Sequence, residues 1–141
     1  MGLIVDSSVF IAAERRGESP RALVKRIAIS TGDQEIALSA IGLTELIHGI
    51  YRADSPARKA RRKQFVEELL LGFTVYPYTT ETAKLAGRID GGQTAKGIII
   101  PFPDLLIGAT ALSLGFAVMT LNTRHFQLIP GLQIVSPDPI P

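Results

Sequence analysis

Four polar residues interrupt apolar surroundings in a related way. Asp6 closes the run Gly2-Leu3-Ile4-Val5, Glu45 lies inside "LTELIHG", Asp104 opens "DLLIGATAL", and Asn122 follows "FAVMT" in "TLNTRHF". Carboxylates gathered at one place repel one another, and some must take up protons unless a cation neutralises them. Oxygen donors with no thiolate among them select hard ions such as Mg²⁺ or Mn²⁺. Those ions promote phosphodiester hydrolysis: they position and activate water and stabilise charge on the leaving oxygen. Each residue also has an ordinary explanation. Asp104 would serve as a first-turn helix acid, Asp6 as part of a strand-to-helix cap, Glu45 as an exposed helix residue and Asn122 as a turn residue. Spacing alone leaves both explanations open, so the elements that carry the four residues matter.

Those elements alternate between strand and helix. Residues 2–6 read as a strand, Ser7 or Ser8 as the cap of a helix to about 16, and Pro20 as the start of a second helix to about 30. A strand at 35–40 leads through a Ser39 cap into 40–53, where apolar residues at 43, 46, 47 and 50 have helical spacing. Pro56 opens a helix that ends at Gly72, and 73–78 reads as a strand. Thr79 or Thr80 caps a helix to about Asp90, stopped by Gly91-Gly92, before a loop at 91–101 with an extended piece at 98–100. A helix with Pro103 at its start and Gly115 at its end follows, then strands at 116–120 and 132–135 and an extended proline-rich tail from about 136. The strands are continuous apolar runs, which argues for a parallel sheet covered on both faces. Sites in such sheets form beyond the carboxyl ends of the strands. Asp6 and Asn122 fall at such ends, and Asp104 begins a helix that leads into a parallel strand. Only Glu45 needs the tertiary fold to bring it in.

Composition narrows the classes. The chain has 141 residues, enough for one domain, and 46% of them are hydrophobic, enough for a substantial core. It has no cysteine, which excludes disulfides, zinc–thiolate sites and cysteine catalysis. Residues 1–13 lack a basic n-region and contain Asp6, so they do not read as a signal peptide. No uncharged run approaches the ~20 residues of a membrane span. A cytoplasmic protein with no membrane partner is expected. Fifteen Lys and Arg against 13 Asp and Glu give a net charge of +2, too small to argue for nucleic acid by itself. Arg15, Arg16, Lys25 and "ARKARRKQF" at 57–65 concentrate positive charge in the first half, as solvated helix faces commonly do.

"LIVDSSVFI", "LSAIGLTELIHGI", "PDLLIGATAL" and "VMTLNTRHF", in that order, resemble the four sequence blocks of PIN-domain ribonucleases, and among them the VapC toxins of bacterial toxin–antitoxin pairs. The resemblance runs from Leu3 to about Val135. It implies a Rossmann-like three-layer α/β/α sandwich with a mostly parallel central sheet, in one domain over 1–141. It also implies Mg²⁺-dependent endoribonuclease activity, with Mn²⁺ as a substitute, and products with a 5′-phosphate and a 3′-hydroxyl. By block position Asp6, Glu45 and Asp104 match the family's acids. Ser8 matches a hydroxyl residue that supports the first acid, and Thr120 the threonine that ends the fourth block's strand. Asn122 falls where many members carry a fourth aspartate, as a metal ligand with one charge fewer. His125 stands where a further acid often precedes the phenylalanine, so it supplies no replacement carboxylate. In the mechanism this implies, Asp6 and Asp104 hold one ion and Glu45 orients or deprotonates the attacking water. The implied partners are an RNA substrate such as tRNA or rRNA, a VapB-like antitoxin and a second copy of the chain. Arg124, next but one to Asn122, and Arg88 are the better-placed candidates for RNA contact.

The main alternative is a non-catalytic PIN-like module acting through its partners, for which Asn122 is the best support. A receiver or aspartyl-phosphate phosphatase also places an aspartate after its first strand. Such a phosphatase would show a second aspartate two residues on, where this chain has Ser8, and a receiver would show an acidic pair and a late lysine. Glu45-x-x-His48 has metal-ligand spacing on one helix face, but no second such pair exists, so His48 reads as an ordinary histidine. Asp90 and Glu81 fit helix-end effects.

Overall fold

The computed structural model describes residues 1–137; the last four residues of the expected tail lie outside the described residues. The elements are β1 (Gly2–Val5), α1 (Ser7–Arg15), α2 (Pro20–Thr31), β2 (Glu35–Ser39), α3 (Ala40–Tyr51), α4 (Pro56–Gly72), β3 (Thr74–Tyr76), α5 (Thr80–Thr94), α6 (Phe102–Leu114), β4 (Ala117–Met119), α7 (Thr123–Phe126) and β5 (Ile134–Val135). The five strands form one sheet in the order β3-β2-β1-β4-β5, and every neighbouring pair is parallel. From β1 the chain winds outward through β2 to β3, then returns to the other side of β1 for β4 and β5. The order therefore reverses between β1 and β4, and a crevice opens there beyond the carboxyl ends of the strands.

Strand periodicity divides β1 between two cores. Leu3 and Val5 face the layer of α1 to α4, with Phe10, Leu23, Ile27, Leu38, Phe65 and Leu69. Ile4 faces the layer of α5 to α7, with Ala86, Leu105, Ala109, Val118 and Phe126. Helices on both faces of a parallel sheet make the three-layer α/β/α sandwich expected from the unbroken apolar strands. Local signals set the helix ends. Ser19, Ser39, Ser55 and Thr79 each accept a bond from a backbone N–H in the first turn, and Gly115 ends α6 at φ 72°. Two expectations fail locally. Helix α5 runs through Gly91-Gly92 to Thr94, and residues 98–100 belong to no strand. Glycine costs an exposed helix about 1 kcal/mol but does not forbid it. The buried side chain of Gln93 donates to the Leu128 carbonyl at 2.6 Å and holds this last turn in place. The tail's first residues, Ser136 and Pro137, follow β5, and Pro137 is buried.

Candidate active site

The crevice between β1 and β4 is where the polar residues meet. Val5 pairs with Met119, so Asp6 and Thr120 follow side by side, with the Asp6 N–H bonded to the Met119 carbonyl at 2.8 Å. Both residues are buried. Two hydroxyls converge on one carboxylate oxygen: Ser8 donates to Asp6 Oδ2 at 2.7 Å and Thr120 at 2.9 Å. Each hydroxyl also accepts a backbone N–H from the turn after β4, Ser8 from Leu121 at 3.1 Å and Thr120 from Asn122 at 2.9 Å. The same four bonds therefore aim Asp6 and shape the turn that starts α7.

Glu45 comes in from α3. Its Oε1 accepts from the Ser7 hydroxyl at 2.8 Å, a contact not foreseen in the sequence, where Ser7 read as a helix cap. Asp6 itself occupies the cap position of α1 and makes no side-chain cap bond. The usable signal was two consecutive hydroxyls after a carboxylate, because neighbours on a helix point about 100° apart and reach different partners. Asp104, buried in the first turn of α6, meets His125 of α7: its Oδ2 lies 2.8 Å from Nδ1. His125 supplies no carboxylate, as expected, but it holds one.

Glu45 and Asp104 both sense the charge of Asp6. Burial raises the Glu45 carboxyl above its ordinary range; the Ser7 hydroxyl opposes this, and the charges of Asp6 and Asp104 add to it. Burial likewise raises Asp104, opposed by the bond to His125 and reinforced by Asp6. Each acid has one oxygen held by a side chain and a second that accepts no hydrogen bond among the described residues. No buried side-chain oxygen or nitrogen among them is left without a partner, so these second oxygens reach solvent. That donor set, all oxygen and facing water, fits a hydrated Mg²⁺ or Mn²⁺, which takes one or two carboxylates directly and keeps several waters. It is not a closed cage: among the described residues no three His, Asp or Glu side chains are already gathered as a metal cluster.

Asn122 and Arg124 lie at the rim. Asn122 is exposed and its side chain makes no hydrogen bond among the described residues. With Leu121, Thr123, Arg124 and His125 it lines a shallow depression of about 290 Å³. Arg124 is exposed there, Arg88 is exposed on α5, and neither forms an ion pair with a described residue. His48 points to solvent, consistent with an ordinary surface histidine. Among the described residues no helix is long and apolar enough to cross a membrane.

Residues 3–132 match the PIN domain family. The chain is 36% identical over 136 residues to a protein named Ribonuclease VapC from Rickettsia bellii, covering 96% of each. It is 31% identical over 115 residues to the tRNA(fMet)-specific endonuclease VapC of Salmonella typhimurium, covering 82% of this chain and 83% of that one. Its fold superposes on the structure of VapBC2 from Rickettsia felis bound to a DNA fragment from their promoter. That match has a TM-score of 0.81 at 20% identity and covers 96% of this chain and 98% of the other.

Proposed function

The chain belongs to the PIN-domain family and, within it, to the VapC ribonucleases, the toxins of VapBC toxin–antitoxin pairs, and from that premise we propose that Asp6, Glu45 and Asp104 form the divalent-cation site at which it hydrolyses RNA. The observation that carries the assignment is the arrangement of the three acids at the switch point, each anchored through one oxygen and open to solvent through the other. When bound, Mg²⁺ or Mn²⁺ supplies water activation and neutralises charge on the phosphate.

The chain's own residues do the rest. Asp6 and Asp104 would hold the ion, Asp6 from a rigid strand end with two donors on Oδ2, Asp104 from against His125. Glu45 is turned by Ser7 and kept more basic than an ordinary carboxylate by its surroundings. That suits it to orient the attacking water and take its proton. Attack at phosphorus expels the 3′-oxygen and leaves a 5′-phosphate. Asn122, in the turn after β4, would be a further oxygen ligand that adds no charge. Arg124 and Arg88 meet phosphates of the RNA, which is a tRNA or rRNA with unpaired loops. A VapB-like antitoxin and a second copy of the chain are its partners in the cytoplasm.

The test is cleavage of a total tRNA and rRNA pool by the purified protein with Mg²⁺, Mn²⁺ or EDTA, beside Asp6→Ala and Asp104→Ala. Discrete cuts that need metal and both aspartates are expected. Equal cleavage by the alanine variants refutes the assignment. A protein that neither cuts RNA nor binds Mn²⁺ is a non-catalytic module instead.

A further inference from the structure

The two most exposed apolar side chains near the carboxyl edge of the sheet are Ile99 and Phe102, at 82% and 66%. Scattered exposed apolar residues are ordinary, but Phe102 is set apart by how it is held. Proline stands on each side of it. Pro101 is the cap residue of α6, its φ locked near −53°, and its carbonyl accepts the Leu105 N–H at 2.9 Å. Pro103 lies in the same first turn. Ile100, just before, is buried at 4% and anchors the approach. The backbone that carries the ring is thus fixed, while the ring itself projects into water.

Its place is as telling as its exposure. Phe102 is two residues from Asp104, so their Cα atoms are about 5.5 Å apart. Two positions along a helix turn by about 200°, which sets the ring and the carboxylate about 160° apart on opposite sides of α6, so they do not compete for one space. Stacked nucleotides repeat at about 3.4 Å. A strand that has a phosphate at Asp104 and crosses the N-terminal end of α6 lays a base two or three nucleotides away over the ring. Asp104 is bonded to His125 of α7, and Arg124 beside it pairs with no acid among the described residues. Cations that follow the backbone and an aromatic face that accepts any base are the two parts of a single-strand binding surface.

We propose that Phe102 is a positioning residue that stacks on an unpaired nucleobase close to the scissile phosphate, with Ile99 extending the apolar platform. This rests on the nuclease reading above and adds the contact that makes the site prefer single strands. The proline clamp keeps down the ordering cost of that contact.

The experiment compares wild type, Phe102→Ala and Phe102→Trp on short single-stranded RNAs taken from tRNA loops. Phe102→Ala is expected to raise KM about tenfold with little change in kcat, and Phe102→Trp to restore it. Replacing one of the bases flanking the cut by an abasic nucleotide should cost the wild type the same factor and Phe102→Ala nothing more. Binding is read separately by 2-aminopurine placed at each position in turn, quenched by wild type and Phe102→Trp but not by Phe102→Ala. No cleavage by wild type refutes the nuclease reading, while Phe102-dependent quenching would still support the stack. Cleavage with unchanged KM and quenching in Phe102→Ala refutes the stack alone. A Phe102→Ala protein that loses activity equally on intact and abasic RNA, with a changed molecular mass in solution, refutes it as well and gives the patch to a second copy of the chain.

Discussion

Ser7 and Ser8 are chemically identical neighbours, yet one holds Glu45 and the other Asp6. The sequence places both beside the first acid, and block resemblance picks out Ser8. It cannot pick out Ser7, because that contact spans 38 positions and exists only once α3 packs beside α1. The same limit applies to His125 and Asp104, which meet across 21 positions. The acids stand out in the sequence because a carboxylate at the end of a buried strand, or inside an apolar helix, is costly without a function. Hydroxyls carry no such cost, so their roles stay silent until the fold is known. Ser7→Ala is expected to lower metal-dependent cleavage about 10–100-fold, the usual effect of removing a group that orients a metal-site residue. Ser7→Thr should retain most of the rate, since its hydroxyl can make the same bond. A thermal melt of Ser7→Ala in EDTA should stay close to wild type; a large fall would mean that the loss of activity is only a loss of fold.

At the scale of elements, the strand-helix alternation was readable because parallel strands are apolar on both faces and the helices carry serine, threonine, proline and glycine at their ends. Helix α4 has the expected bounds, Pro56 to Gly72. Short elements were not readable: α7 is four residues long, too brief for any periodicity, and only its packing defines it. Glycines show the same division between local and tertiary causes. Gly91 and Gly92 read as a stop but lie inside α5. Gly108, inside α6, is a close approach: a Cβ there would collide with Ile129 Cδ1 and press on Leu132 Cδ2 at 3.3 Å. Ile129 is 2% exposed and has little room to move. This approach seats the segment after α7 against α6, and so sets His125 beside Asp104. Gly108→Ala is expected to destabilise by about 1 kcal/mol, overpacking of about 1–3 kcal/mol outweighing the gain in helix propensity. Gly87→Ala, exposed in the same layer with nothing within 4 Å of its Cβ, should stabilise by about 0.5–1 kcal/mol. Urea unfolding of the two variants checks the opposite signs. Equal shifts would mean that the Ile129 contact does not constrain α6.

For the whole molecule, the candidate site is a local cost to stability that the proposed cation would reverse. Glu45 and Asp104 both have carboxyl groups raised by folding, chiefly through burial. Between the ordinary carboxylate range and the raised values the folded state binds more protons than the unfolded one, so this part of the stability falls as pH rises through that window. It is fully present below the window and stays at its lower level above it. Glu18 acts in the opposite direction: its bond to Arg26 lowers it, and the stability it adds is lost as pH falls. A pH profile of the wild type alone mixes the two, so the comparison must be with a variant. Asp104→Asn keeps the size and an acceptor for His125 while removing the charge. In EDTA at neutral pH it should melt a few degrees above wild type, where ~1 kcal/mol corresponds to about 2–4 °C for larger domains. That advantage should vanish as pH falls below about 4, where the wild-type carboxyls are protonated in both states. Mn²⁺ should then reverse the order. A ligand at 100 times its dissociation constant stabilises by about 2.7 kcal/mol, and Asp104→Asn, with weaker binding, should gain less of it. A charge kept only for structure would make the variant better or worse under both conditions. The crossing of the two melting curves on adding Mn²⁺ is specific to a carboxylate retained to hold a cation, and parallel curves would remove Asp104 from the metal site.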